Sequence, residues 1–144
     1  MILYLDTSAL VKAYVVEDQS AEVLQRMKSA SASASHRIAY VEARAAFARL
    51  QREQVLGESE WQILKEEFIS DWENYLQIDT TSQMLERASV FAESFALRAY
   101  DSTHLAAAWL LHEHSEETVV FACYDRKLNQ AAGILGMDLL NECD

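Results

Sequence analysis

Thr118-Val119-Val120-Phe121-Ala122-Cys123, followed at once by Tyr124-Asp125-Arg126-Lys127, decides the fold. An unbroken β-branched and apolar run of this kind reads as a strand buried on both faces. Residues 125–134 then carry a helical pattern, closed by Gly133 and Gly136. The N-terminus repeats the arrangement. Ile2-Leu3-Tyr4-Leu5 is a short apolar strand, Asp6 stops it, and Thr7 and Ser8 are cap residues ahead of Ala9, Leu10 and Val11. Apolar strands that alternate with helices predict a parallel sheet covered on both sides.

Working outward, residues 20–28 read as a helix with Val23, Leu24 and Met27 on one face. The alternating Ser-Ala stretch at 29–35 reads as a loop or frayed helix end, and 36–39 as a short strand. A helix is expected over 40–54, with Ala43, Ala46, Phe47 and Leu50 as its stripe. Gly57 breaks it, and a partner helix from residue 59 turns Trp61, Leu64, Phe68 and Trp72 inward, so the two form a helical hairpin. Residues 75–78 and 137–140 read as strands, and 80–97 as a helix. The segment 101–112 is apolar nearly all round and reads as a buried helix. Trp61, Trp72 and Trp109 fall on apolar stripes, as core or dimer-interface residues rather than stacking platforms.

With 144 residues, the chain fits one domain spanning 1–144. At 51% hydrophobic and 24% charged it has ample apolar surface to fold without staples. The absence of proline and the presence of only three glycines exclude an all-β sandwich or barrel. Cys123 and Cys143 lack CxxC spacing, which points to no disulfide framework and to the reducing cytoplasm. The N-terminal apolar run is too short for a signal peptide, and no run reaches the roughly 20 apolar residues of a membrane span. P-loop, dinucleotide-turn and nucleophile-elbow motifs are absent. The net charge of −11 opposes nucleic-acid binding unless a local site overrides it.

Four acids stand where strands end or helices begin. Asp6 follows the first strand, Asp125 lies two residues beyond Cys123, Glu42 opens the helix after the strand at 36–39, and Asp101 opens the buried helix. In a parallel sheet these positions fall along the carboxyl edge, where ligands bind. Helix capping accounts for any one of them taken alone. Together, four carboxylates repel one another unless a cation neutralises them, and Mg²⁺ or Mn²⁺ prefers such hard oxygen donors. The set suits metal-assisted phosphodiester hydrolysis better than a proton relay. Thr7 and Ser8 are candidates to bond a phosphate or a water. His104, one turn from Asp101, is either a core histidine or a support for that carboxylate.

Leu5-Asp6-Thr7-Ser8-Ala9-Leu10-Val11-Lys12 resembles the opening motif of VapC-type PIN domains. Leu97-Arg98-Ala99-Tyr100-Asp101-Ser102-Thr103-His104-Leu105-Ala106 is similar to the family's second signature, with Ser102 where an Ala is usual. Phe121-Ala122-Cys123-Tyr124-Asp125-Arg126-Lys127-Leu128 resembles the third, and Tyr40-Val41-Glu42-Ala43 falls where the family carries its Glu. The resemblance spans the chain. It implies a three-layer α/β/α sandwich with a central, mostly parallel sheet, and Asp6, Glu42, Asp101 and Asp125 as metal ligands and catalytic acids. It also implies an Mg²⁺- or Mn²⁺-dependent endoribonuclease that forms a homodimer and acts as the toxin partner of an antitoxin.

Two alternatives stand beside this. A PIN-like module could use its acidic pocket for an ion or a partner's arginine without catalysis. A flavodoxin-like phosphatase needs a second acid two residues past its nucleophilic Asp, and Ser8 occupies that position here. Lys12, Arg44, Arg49, Arg52, Arg98, Arg126 and Lys127 neighbour the four acids in sequence and soften the charge objection.

Overall fold

The computed structural model describes residues 1–141. The element order is β1 (Ile2–Leu5), α1 (Thr7–Lys12), α2 (Ser20–Ser29), β2 (Ala32–His36), α3 (Ile38–Arg52), α4 (Glu58–Trp72), β3 (Leu76–Ile78), α5 (Ser82–Phe95), α6 (Ala99–His114), β4 (Val119–Ala122), α7 (Arg126–Ile134) and β5 (Asp138–Leu139). The strands form one sheet in the order β3-β2-β1-β4-β5. Every pairing is parallel.

The pleat of β1 shows why the sheet carries helices on both faces. Ile2 and Tyr4 point into one core with Val119 and Phe121, packed by α5, α6 and α7. Leu3 and Leu5 point into the other with Val120 and Ala122, packed by α1, α2, α3 and α4. Alternate residues of a strand face opposite sides, so a strand apolar at every position needs a helical layer on each. The expected three-layer sandwich is therefore what forms. Register places Leu5 beside Ala122, and the Asp6 amide continues the ladder to the Ala122 carbonyl at 3.1 Å. The ends of β1 and β4 thus lie side by side.

The Ser-Ala stretch departs from expectation. It is strand β2 over Ala32–His36, not a loop, and α3 begins at Ile38, so of the strand expected at 36–39 only His36 is in a strand. Its residues lack strand propensity, but it sits between β1 and β3 with both edges paired. Ala34 is fully buried, and the Ser35 hydroxyl donates to the Leu5 carbonyl at 2.7 Å. Small side chains suit this position because the alanine-rich face of α6, Ala106, Ala107 and Ala108, packs into the same core as Ala34. Tertiary pairing overrides local preference here.

The helical hairpin forms as expected. Phe47 of α3 meets Phe68 of α4 edge-on at 5.6 Å, and Trp72 is buried beside Phe68. Trp61 and Trp109 are half-buried at the margins of the two cores. Gly133 lies inside α7 rather than ending it. The stop is made at Gly136, whose φ of 83° is open to glycine at little cost. Cys123 is buried as a free thiol, and Cys143 lies outside the described residues. Among the described residues, no helix is long and apolar enough to cross a membrane.

Candidate active site

Asp6 follows β1 directly and caps α1. Its Oδ1 accepts from the Ala9 amide at 2.9 Å and from the Ser8 hydroxyl at 2.7 Å. Only 4% of the residue is exposed. Burial pushes its carboxyl above the usual range against the counteracting influence of His104, Ala9 and Ser8. Asp125 follows β4 and caps α7, accepting from the Leu128 amide at 2.9 Å. Capping thus explains part of what these two residues do.

It does not explain the other two. Asp101 sits in the first turn of α6, whose N-cap is Arg98, and among the described residues its side chain makes no hydrogen bond or salt bridge. Partial burial raises its carboxyl, and the charges of Asp125 and Asp6 raise it further. Glu42 lies in the second turn of α3 rather than opening it, because that helix starts four residues earlier than the acid. Its Oε1 accepts from the Thr7 hydroxyl at 2.8 Å and faces His104 Nε2 at 3.0 Å. Burial alone would raise the Glu42 carboxyl, but the bonds from His104 and Thr7 outweigh it and hold it below the usual range.

The fold therefore places Asp101 within electrostatic reach of both Asp6 and Asp125 at the carboxyl edge. Glu42 joins them through Thr7, the neighbour of Asp6, and His104, three residues past Asp101. Among the described residues, no group of three or more His, Cys, Asp or Glu side chains is arranged so that it could hold a metal ion. What exists is a set of like charges on rigid supports. Ser8 and Thr7 divide the work between two acids, Ser8 bonding Asp6 and Thr7 bonding Glu42. His104 is buried and satisfied, and its hydrogen-bonded carboxylate is Glu42, not Asp101.

Tyr4 is the residue that sequence reasoning passed over. Its hydroxyl lies 2.7 Å from His104 Nδ1 and accepts from the His36 amide at 3.1 Å. A signal was available: Tyr4 is the one polar tip in an otherwise aliphatic strand, two residues before Asp6. The basic residues are less free than their sequence neighbourhood suggests. Lys12 bonds Glu17 and the Asp18 carbonyl and covers the Tyr124 ring, and Lys127 donates to the Ala96 carbonyl. A groove of about 320 Å³ opens beside Thr7 and Ser8, lined also by Lys12, Arg49 and Tyr124.

The parallel sheet and the acids along its carboxyl edge define a PIN-like α/β domain. The fold is shared with the solved structure of FitAcB from Neisseria gonorrhoeae at a TM-score of 0.65 and 19% identity, covering 98% of this chain and 97% of that one. No family model matches the chain. Over 135 residues it is 31% identical to Ribonuclease VapC45 of Mycobacterium tuberculosis (strain CDC 1551 / Oshkosh), covering 94% of this chain and 92% of the relative. Ribonuclease VapC49 of Mycobacterium tuberculosis (strain ATCC 25618 / H37Rv) matches with the same figures. The chain belongs to the VapC ribonuclease family.

Proposed function

We propose that this chain is a metal-dependent endoribonuclease, the toxin of a toxin–antitoxin pair, with Asp6, Glu42, Asp101 and Asp125 as ligands of Mg²⁺ or Mn²⁺. Its VapC relatives support the ribonuclease assignment. One observation carries the site assignment. Asp101 sits near Asp125 and Asp6 with no hydrogen bond to its side chain among the described residues, and partial burial together with those two charges raises its carboxyl against the opposing influence of His104 and Arg98. Carboxylates placed near one another favour protonation unless a cation neutralises them, and a hard divalent cation fits an all-carboxylate donor set.

When bound, such an ion neutralises charge at a phosphodiester and makes water a better nucleophile near neutral pH. The protein's own groups do the rest. Ser8 and the α1 amide fix Asp6, Thr7 and His104 fix Glu42, and the first turn of α6 presents Asp101. Substrate RNA would lie over this edge. An antitoxin partner is in keeping with the fold shared with FitAcB, and a homodimer and a cytoplasmic location complete the proposal.

A second reading has its own support. The net charge of −11, with Lys12 and Lys127 already engaged, suits a module that binds an ion or an arginine without turnover. Titration calorimetry with Mn²⁺ beside an RNA cleavage assay separates the two. The nuclease binds Mn²⁺ and cleaves RNA in a manner that EDTA abolishes. Metal binding with no cleavage of any RNA would favour the module.

A further inference from the structure

We propose that His104 and Tyr4 are positioning residues for Glu42, acting through a hydrogen-bonded relay that spans β1, α6 and α3. The inference rests on the proposed role of Glu42 as a cation ligand. The Tyr4 hydroxyl accepts the His36 amide and lies 2.7 Å from His104 Nδ1. We assign the Tyr4 proton to this contact, which makes Nδ1 the acceptor and leaves Nε2 as the ring donor. That N–H faces Glu42 Oε1 at 3.0 Å, where the Thr7 hydroxyl also donates at 2.8 Å. Both donors fall on one oxygen. Among the described residues Oε2 makes no bond, so it is the atom left for a cation.

The support is rigid. The His104 side chain is 3% exposed and is held edge-on by the Tyr4 ring at 5.9 Å and the His36 ring at 6.5 Å. Glu42 sits on the outer margin of the α3 stripe that buries Ala39, Ala43 and Phe47, and its long side chain would otherwise sample several rotamers. Fixing one oxygen removes that freedom before any ion arrives. A carboxylate without such a partner would have to be ordered by the ion itself, and losing a support of this kind typically weakens metal affinity by about 10–100-fold.

A purely structural histidine would hold the core together but leave the affinity for metal unchanged once the variant folds. The test uses the full chain and Mn²⁺ alone as the probe, read by titration calorimetry, with thermal melts as the folding control. His104→Leu is expected to weaken Mn²⁺ binding by about tenfold or more. His104→Gln, whose amide can again donate to Glu42, is expected to recover most of that loss. Tyr4→Phe and Thr7→Val each remove one member of the relay and should weaken binding by a smaller factor, which keeps the test alive if His104→Leu does not fold. Nitrogen-15 spectra of the wild-type imidazole should show a proton on Nε2 and none on Nδ1. The inference is overturned if folded His104→Leu, or Tyr4→Phe and Thr7→Val together, bind Mn²⁺ as the wild type does. It is also overturned if Gln and Leu are equally defective, or if the ring carries its proton on Nδ1. Wild-type protein that binds no Mn²⁺ would instead remove the cation-ligand role on which the relay depends.

Discussion

Asp101→Asn offers a test in which stability and function move in opposite directions. Asparagine has the shape of the carboxylate without its charge, and among the described residues Asp101 has no hydrogen bond to lose. The folded, ion-free protein should therefore gain stability at neutral pH. For a half-exposed group among like charges, the gain after solvent screening is on the order of 1 kcal/mol. In a domain of about this size that corresponds to a rise in Tm of about 2–4 °C. The carboxyl is held above its ordinary value, so the folded state binds this proton more tightly than the unfolded chain. Wild-type stability then falls as pH rises through the folded value, and the penalty is absent below the ordinary carboxylate range. The advantage of the variant should be full at neutral pH and shrink as pH is lowered toward about 4. Metal reverses the comparison. At about 100 times its Kd an ion stabilises the folded wild type by about 2.7 kcal/mol, a rise of roughly 5–11 °C. The variant should lose most of this rise, together with RNA cleavage. Calorimetric melts with EDTA and with Mn²⁺, repeated across pH, read all of it. A variant less stable than wild type without metal, or one that keeps the full Mn²⁺ shift, would refute the reasoning.

Asp6→Asn should reduce metal-dependent cleavage by at least tenfold in a kinetic assay, since this acid is the most buried of the four and lies between Ser8 and the α1 amide. Ser8→Ala removes a donor to Asp6 Oδ1, so the Asp6 carboxyl should rise further and the acid limb of the pH–activity profile should move to higher pH; an unmoved limb would count against the bond. Phe47→Ala empties a fully buried position against Phe68 and Tyr14 and should cost about 3–5 kcal/mol in urea unfolding, with the slope unchanged. Gly136→Ala meets no atom of the described residues within 4 Å, so its cost should come from the backbone at φ +83° and lower stability by about 1 kcal/mol.

Local pattern was enough wherever a segment's burial and its propensity agreed. The β-branched run at 119–122 and the aliphatic run at 2–5 could only be doubly buried strands, and the all-apolar face of α6 could only be core. From these follow a parallel sheet, helices on both sides, and acids at its carboxyl edge. Asp6, Asp101 and Asp125 were likewise legible, because each sits at or just past a transition between elements, whereas Glu42 lies inside α3.

Tertiary structure alone decided what local pattern could not encode. Ser and Ala at 32–36 have no preference for a strand, and only neighbours on both sides, with α6 packed close, make β2. That displacement moved the start of α3 from residue 40 to Ile38 and set Glu42 about half a turn deeper into its helix. The partner of His104 was equally invisible, since Glu42 is 62 residues away and Asp101 only three. Sequence proximity favours pairs on one helix, whereas hydrogen bonds between layers depend on how the layers stack. The four acids are written in the chain. Which donors hold each of them, and which one has no hydrogen bond among the described residues, is a property of the folded sheet edge.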